Sequence, residues 1–254
     1  MLKDLFKVFK FFIKHPSSFI NVNLWAIKEV RRNKLTLLAD EMGSDKGLKK
    51  HMYTRIYGHL FSDRRDDVKH ILEIGLLCHE DQNLIGGREF STVPSLKMWT
   101  NYFPSAKVYG FDDKDFTSAR GDWEEIFRGD QSKREDLDKV ASKQDAFDLI
   151  IDDALHASYH QQITFSRLFA LVKPGGYFII EDLHFQPEWA EKEYPAEKTL
   201  PLLEKLQVTG KWESTLSTAA EKTMIESGVA SIAFYDSLHK GPLGSKALAV
   251  IQKK

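Results

Sequence analysis

Acidic side chains follow five successive short apolar runs in the middle of this chain. When strands run parallel in one open sheet, the loops beyond their carboxyl ends meet in a common cleft where ligands bind. One acid after a strand is ordinary loop solvation, but acids after five strands in succession predict a functional cleft. The acids are Glu73, then Asp112 with Asp113, then Asp130, then Asp152 with Asp153, and finally Glu181 with Asp182.

The last two acid pairs have the chemistry of a divalent metal site. Adjacent strand ends lie about 5 Å apart, so three carboxylates from these pairs can surround one cation if the strands are neighbours. Mg²⁺ prefers carboxylate oxygens together with water and substrate oxygens. His156 follows Asp153 by three residues, at the predicted start of the next helix. An imidazole in that position can act as a general base near neutral pH.

The turn after the first run discriminates between nucleotide cofactors. A dinucleotide pyrophosphate needs a G-x-G-x-x-G turn and a helix N-terminus. Here Gly75 is followed by Leu-Leu-Cys-His-Glu-Asp, and a turn with one glycine and two acids would repel a pyrophosphate. This disfavours a nicotinamide oxidoreductase. The cationic, phosphate-free S-adenosylmethionine fits the turn, and Asp112 after the second run suits the two ribose hydroxyls.

The elements that position these acids are short apolar runs alternating with amphipathic segments. This alternation predicts a parallel sheet covered on both faces, which is a doubly wound, Rossmann-like α/β fold. Predicted strands cover residues 70–75, 106–112, 124–130, 147–153 and 175–182, and a predicted helix covers 158–172. Two later runs, 229–238 and 246–251, are joined by a link too short for a crossover helix, so they should pair antiparallel. The expected sheet has about seven strands with a reversed C-terminal hairpin.

Composition narrows the class of protein. The chain has 254 residues, 42% of them hydrophobic and 29% charged, which excludes intrinsic disorder and supplies a core for one or two domains. Lys plus Arg is 36 against 37 for Asp plus Glu, so the charge balance predicts no nucleic-acid partner. The single cysteine, Cys78, favours a reducing cytoplasm. We predict N-terminal helices over residues 1–60 and a cofactor-binding domain over 61–254.

The first fourteen residues are predicted to form an amphipathic helix. Their lysines recur at three- and four-residue steps, opposite leucines and phenylalanines. They lack the apolar run and cleavage site of a signal peptide, and no stretch approaches the roughly 18 apolar residues of a membrane span. Two interpretations stay open. The helix packs on the domain or on a second subunit of a homo-oligomer, or residues 1–34 make peripheral contact with the inner face of the membrane.

Several short motifs follow one another in a fixed order over more than half of the chain. They are GSDKG (43–47), YTRIY (53–57), LEIG (72–75), SLKMW (95–99), YGFD (109–112), GDQ (129–131), DDALH (152–156), KPGG (173–176) and the acid pair at 181–182. In this order and spacing, the chain resembles class I S-adenosylmethionine-dependent methyltransferases. More narrowly, it resembles the metal-dependent sugar O-methyltransferases of the mycinamicin (macrolide) type and their polysaccharide-cluster relatives.

This resemblance implies a role for each matching residue. For the cofactor, Glu73 and Gly75 would line the methionine end, Asp112 would hold the ribose, Asp130 and Gln131 would lie near the adenine, and Asp152 would border the site. Asp153, Glu181 and Asp182 match the family's Mg²⁺ ligands, His156 matches its general base, and Tyr53 and Tyr57 would close over the site. The implied reaction is methylation of a sugar hydroxyl in a glycan or glycosylated natural product. The substrate is then a carbohydrate or another small molecule with vicinal hydroxyls.

Two other functions remain open at this stage. A catechol-type O-methyltransferase uses the same logic, because a catechol is also a vicinal diol. A non-catalytic, cofactor-binding scaffold protein would not need the complete set of metal ligands and base. The chain also departs from the family, since Leu76, Leu77 and Cys78 stand where glycines are usual and would narrow the cofactor pocket.

Four aromatic residues after the last acid pair allow two interpretations. Phe185, Trp189, Tyr194 and Trp212 either stack on the faces of a sugar or pack a predicted helix over 196–207 onto the domain.

Overall fold

The structure is a computed structural model that describes residues 33–48, 50–76, 93–142, 146–237 and 245–254. Within these ranges the strands are β1 (His70–Ile74), β2 (Lys107–Asp112), β3 (Glu125–Arg128), β4 (Phe147–Asp152), β5 (Val172–Ile180), β6 (Val229–Asp236) and β7 (Lys246–Lys253). They form one sheet in the order β3-β2-β1-β4-β5-β7-β6. The first five strands run parallel, and β7 pairs antiparallel with both β5 and β6. The predicted reversed hairpin is confirmed.

The helices of the described ranges are α1 (Lys34–Met42), α2 (Thr54–Phe61), α3 (Pro94–Tyr102), α4 (Arg134–Ala141), α5 (Ser158–Leu168), α6 (Glu188–Glu193), α7 (Thr199–Thr209) and α8 (Ala219–Gly228). Some helix ends have a local cause in the sequence. For example, α8 begins at a capping box, in which the Thr218 side chain and the Glu221 side chain each accept from the other residue's backbone N–H. α1 ends at Gly43, which adopts a left-handed conformation.

Helices cover both faces of the sheet, because alternate residues of each buried strand point to opposite sides. Leu72 of β1 belongs to one buried cluster, together with residues of α4, α5, α7 and α8. Ile71, the preceding residue, belongs to the other cluster, with residues of α1, α2 and α3. The doubly wound α/β fold predicted from the sequence is confirmed.

The segment KPGG (173–176) differs from the prediction. We expected it to form a turn before the strand, but β5 already begins at Val172 and includes it. The pairing register with β4 shifts there, since Val172 pairs with Phe147 whereas Tyr177 pairs with Leu149. Proline and glycine are tolerated inside a strand at such an irregularity. The preceding helix accordingly ends earlier than predicted, at Leu168, and a short 3-10 turn follows.

The amphipathic helix predicted at residues 1–14 lies outside the described residues, as do all but the last two of the residues 1–34 for which membrane contact is predicted. In the part of the chain that the structure describes, no helix is long and apolar enough to cross a membrane.

Candidate active site

The turns after β1 and β4 lie against each other because Gly75 has no side chain. Gly75 has a φ of +87°, and a Cβ atom there would lie 2.3 Å from the carbonyl oxygen of Asp153. The backbone N–H of Asp153 donates to the carbonyl of Ile74 at 2.9 Å. Gly75 therefore fixes the position of Asp153 beside the first turn.

Asp153, His156 and Asp182 come together at the carboxyl ends of β4 and β5. These strands are neighbours in the sheet, and each of the three residues offers one ligand atom within 4.8 Å of the other two. Nε2 of His156 lies 3.8 Å from Oδ2 of Asp182. Both residues have positive φ angles, +63° and +52°, which are uncommon for residues other than glycine. The geometry suits either a metal ion or proton transfer between a ligand and the imidazole.

Glu181 is next to Asp182 in the chain, but its carboxylate is engaged from the other side. Its Oε1 accepts a hydrogen bond of 2.5 Å from the Tyr57 hydroxyl, and its Oε2 accepts one of 3.1 Å from the Lys46 ammonium. The side chain is only 1% exposed. The structure thus places this predicted metal ligand beside the group of Asp153, His156 and Asp182 without including it in that group.

Lys46 is a buried residue of this cluster to which our sequence reasoning assigned no role. Its side chain is 1% exposed, and its Nζ pairs with Glu181, with Oε1 of Glu73 at 3.1 Å and with Oδ2 of Asp153. Burial alone would lower the pKa of Lys46, but the surrounding carboxylates, led by Asp153, hold it well above its usual value. The ammonium group therefore stays charged and joins the ends of β1, β4 and β5.

Asp182 is held by side chains from two parts of the chain. The Tyr53 hydroxyl donates to its Oδ1, and Nδ1 of His51 and Nδ1 of His184 lie 3.6 and 3.9 Å from the same oxygen. Burial and the negative charge of Asp182 raise the pKa of Tyr53, so the phenol stays a donor. The resemblance implied that Tyr53 and Tyr57 would close over the site, and their spacing of four residues places both on one face of a helix.

The predicted methionine and ribose residues lie around the turn after β1. Glu73 is fully buried, and its Oε2 accepts from the Trp99 indole at 3.1 Å. Asp112 accepts from the backbone N–H groups of Leu76 and Lys114, both at 2.8 Å. Burial raises the pKa of Asp112 to about 6, although these hydrogen bonds oppose the shift.

The residues expected near the adenine divide into two sets. Nε2 of Gln131 donates to Oδ1 of Asp152 at 2.6 Å, and both residues are buried. Within the described ranges, Oδ2 of Asp152 and Oε1 of Gln131 are buried acceptors with no hydrogen-bond partner. Burial raises the pKa of Asp152 to about 7, against the hydrogen bond from Gln131. Asp130 is separate, because its Oδ1 accepts from the backbone N–H and hydroxyl of Ser132 in a local turn.

The four aromatic residues after β5 do not share one role. Trp212 is 1% exposed and lies in the core against Phe165, so the sugar-stacking interpretation is wrong for it. Tyr194 packs edge-on against His160, with ring centroids 4.8 Å apart. Phe185 and Trp189 are more than half exposed. The Phe185 ring lies 6.3 Å from the His156 ring, so this aromatic side chain borders the site.

The open part of the site is a cleft between the turn after β1 and the segment before α2. Charged groups of Asp45, Lys46 and Asp153 contribute to its lining. The full set of lining residues is Ser44, Asp45, Lys46, Gly75, Leu76, Pro94, Ser95 and Asp153. Leu76 is itself buried at this position, whereas Leu77 and Cys78 lie outside the described residues.

The sheet order, the reversed hairpin and the acids at the strand ends define an α/β methyltransferase fold. Residues 125–228 match the family described as a methyltransferase domain. Over this part of its length the chain is similar to methyltransferase domains, in agreement with the resemblance that the motifs indicated.

Two curated relatives are sugar O-methyltransferases by name. The chain is 35% identical over 153 residues to 8-demethyl-8-(2-methoxy-alpha-L-rhamnosyl)-tetracenomycin-C 3'-O-methyltransferase of Streptomyces olivaceus, covering 60% of this chain and 37% of that protein. It is 35% identical over 133 residues to mycinamicin VI 2''-O-methyltransferase of Micromonospora griseorubida, covering 52% and 32%. The matched part of the chain thus spans only about a third of the length of these relatives.

A similar solved structure is that of the MycE methyltransferase from the mycinamycin biosynthetic pathway, in complex with Mg, SAH and mycinamycin VI. The TM-score is 0.66 at 25% identity, covering 88% of this chain and 55% of that one.

Proposed function

We propose that this protein is an S-adenosylmethionine-dependent, Mg²⁺-dependent O-methyltransferase that acts on a sugar hydroxyl of a glycan or glycosylated natural product. The observation that carries the proposal is the group of Asp153, His156 and Asp182, which combines metal-binding oxygens with a base at the ligand-binding edge of a methyltransferase fold. The names of the relatives, which are sugar O-methyltransferases, support the same chemistry.

The carboxylates at the edge of the sheet fit a hard divalent cation. We assign Mg²⁺ to Asp153, Glu181 and Asp182, of which Asp153 and Asp182 turn an oxygen toward His156. Oxygen donors of this kind are what Mg²⁺ prefers. When bound, the ion supplies Lewis-acid polarisation of the substrate hydroxyl and fixes its direction.

His156 is assigned the role of general base. Its Nε2 takes the proton of the substrate hydroxyl while a new bond forms between that oxygen and the methyl carbon, and the carbon–sulfur bond of the cofactor breaks with its electrons left on sulfur. Within the described ranges, Nδ1 of His156 has no hydrogen-bond partner. Nε2, the ring nitrogen assigned as the base, is the one that lies 3.8 Å from Oδ2 of Asp182.

The cofactor is assigned to the turns after β1, β2 and β4. Gly75 and Glu73 line the methionine end, and Asp112 is the acceptor for the ribose hydroxyls. The unpartnered acceptor atoms of Asp152 and Gln131 support a polar ligand at the adenine end, where Asp130 also belongs in this proposal.

The acceptor is assigned to the side of the site bordered by Phe185. Exposed aromatic rings beside a polar reaction centre suit the apolar faces of a sugar ring or of an attached aglycone. A carbohydrate or other vicinal diol would present one hydroxyl to His156 and both to the metal. Self-association and membrane contact through residues 1–34 remain predictions, as does a cytoplasmic location.

The proposal is tested by incubating the full chain with S-adenosylmethionine, MgCl₂ and a panel of rhamnosides, other deoxysugar glycosides and catechols. We expect mass spectrometry to show a gain of one methyl group on a glycoside, with equimolar S-adenosylhomocysteine, and EDTA to abolish it. Methylation of catechols alone would favour the catechol-type alternative. Cofactor binding without transfer to any acceptor would favour the scaffold alternative.

A further inference from the structure

The ammonium group of Lys46 lies inside the acid cluster and not at its surface. Three carboxylates pair with it, those of Glu73, Asp153 and Glu181, and they come from the ends of three different strands. Glu73 and Glu181 are no more than 1% exposed, so water cannot solvate their charges. A buried carboxylate without a partner is strongly unfavourable, and Lys46 supplies that partner for all three.

No other lysine or arginine in the described part of the chain pairs with these carboxylates. The remaining polar contacts of the cluster come from neutral donors. The Tyr57 hydroxyl donates to Glu181, and the Trp99 indole donates to Glu73. Three carboxyl groups therefore share a single lysine partner.

Lys46 and Tyr57 both belong to the segment 44–57 that precedes and begins α2, and they contact Asp153 and Glu181. His156 belongs instead to the group that it forms with Asp153 and Asp182. The positive charge is consequently fixed in direct contact with Asp153 and Glu181, two of the residues assigned to the metal ion, and Lys46 also lines the cleft described above.

We propose that Lys46 is a positioning residue that acts as the built-in counter-cation of the acid cluster and thereby limits how tightly the site binds a divalent metal ion. This inference rests on the proposed metal site. A second positive charge close to the ion competes for the same carboxylates, and its interaction with them is strong where water is excluded. The affinity of the site for the metal ion then stays moderate, so that substrate oxygens can replace other ligands of the ion.

The test is a calorimetric titration of the full chain with MgCl₂, comparing wild type with Lys46→Met, which keeps the side-chain length and removes the charge. We expect Lys46→Met to bind Mg²⁺ at least tenfold more tightly and to gain more in melting temperature from Mg²⁺ than wild type does. Lys46→Arg, which keeps the charge, should remain close to wild type. A merely structural role would instead weaken Mg²⁺ binding in Lys46→Met.

Lys173→Met is the matched control. Lys173 is also a part-buried lysine paired with an aspartate, Asp148 at 2.9 Å, but at the opposite end of β4. Its loss should leave the Mg²⁺ affinity unchanged. Glu73→Gln is the complementary variant, because it removes one negative charge from a residue that is not an assigned metal ligand. We expect Glu73→Gln to weaken Mg²⁺ binding at least threefold. If Lys46→Met does not fold, this variant tests whether the charge of the cluster sets the Mg²⁺ affinity.

The outcomes separate this inference from the proposed function. Unchanged or weaker Mg²⁺ binding in folded Lys46→Met, with binding in wild type, overturns the role of Lys46 and leaves the proposed function standing. Binding in Lys46→Met but not in wild type supports the counter-cation and contradicts a Mg²⁺-dependent enzyme. Absence of binding in both proteins overturns both.

Discussion

His156 and Asp182, to which we assign roles in the reaction, both adopt a left-handed backbone conformation. This conformation is unfavourable for residues other than glycine. A left-handed φ costs a residue other than glycine on the order of 1–3 kcal/mol, and such strain persists only where the surroundings impose it. At Asp182 the constraint is a tight turn, in which the backbone N–H of Phe185 donates to its carbonyl at 2.8 Å. The strained turns direct the imidazole and the carboxylate toward each other at the ligand-binding edge.

Replacing His156 by asparagine should separate catalysis from binding. If His156 is the general base, kcat should fall by roughly 10²–10⁴-fold, which is the usual contribution of positioned proton transfer. The dissociation constants for S-adenosylhomocysteine and Mg²⁺ should stay within about threefold of wild type, as measured by calorimetry. A large loss of Mg²⁺ affinity would instead identify His156 as a metal ligand.

Asp112 should make stability depend on pH. Burial raises its pKa from the usual 3.8 to about 6, so the folded protein binds this proton more tightly than the unfolded chain does. Stability from this group is therefore present at low pH and is lost as pH rises from about 4 to about 6. In that window the free energy of unfolding of wild type should fall relative to Asp112→Asn, by roughly 3 kcal/mol at most.

Denaturant unfolding of both proteins at a series of pH values measures this difference. Other titrating groups are common to the two proteins and largely cancel in the comparison. A constant gap between the two unfolding free energies across the window would show that the Asp112 carboxyl titrates normally in the folded state.

Among the elements, the turn after β1 depends most directly on a single residue type. Gly75→Ala places a Cβ atom against the backbone of Asp153 in addition to straining a left-handed φ. We expect it to lower the free energy of unfolding by on the order of 2–4 kcal/mol and to weaken cofactor binding. Gly210→Ala is the control, because Gly210 has a φ of +69° but no atom within 4 Å of the added Cβ. It should cost only about 1 kcal/mol, in the same chemical-denaturation experiment.

The segment that follows β5 should govern binding of the acceptor. The exposed Phe185 ring borders His156. Phe185→Ala should therefore raise the KM for a glycoside substrate about tenfold, equivalent to roughly 1.4 kcal/mol, with little change in kcat. Val208→Ala is the matched control, since Val208 is 83% exposed on α7 and has no assigned contact with the site. Equal effects of the two substitutions on KM would contradict an acceptor surface at Phe185.

Periodicity predicted most of these elements, because buried parallel strands and amphipathic helices leave distinct patterns of apolar residues. It predicted the start of β5 less well, since Pro174 and the glycines after it indicate a turn as readily as an irregularity inside a strand. The sequence did not reveal Lys46 because a lysine between glycines and acids is normally solvated. Its burial depends on three strand ends that are far apart in the chain, and only the assembled sheet brings them together.

At the scale of the whole molecule, the site is shared between the sheet and the helical layer before it. Lys46, Tyr53 and Tyr57 lie N-terminal to residue 60, and they contact carboxylates at the ends of β1, β4 and β5. These contacts cross the predicted boundary between residues 1–60 and 61–254. The segment before β1 therefore completes the acid cluster, in addition to any part that the first 34 residues play in self-association or at a membrane.

The central claim is that one edge of the sheet binds an adenosine cofactor and a divalent metal ion together. Calorimetric titration of the full chain with S-adenosylmethionine, with and without MgCl₂, tests it most directly when repeated on Asp182→Asn. We predict micromolar cofactor binding to both proteins and a separate Mg²⁺ signal that is present in wild type and lost in Asp182→Asn. Absence of cofactor binding to wild type, or a Mg²⁺ signal unaffected by the substitution, would contradict the claim.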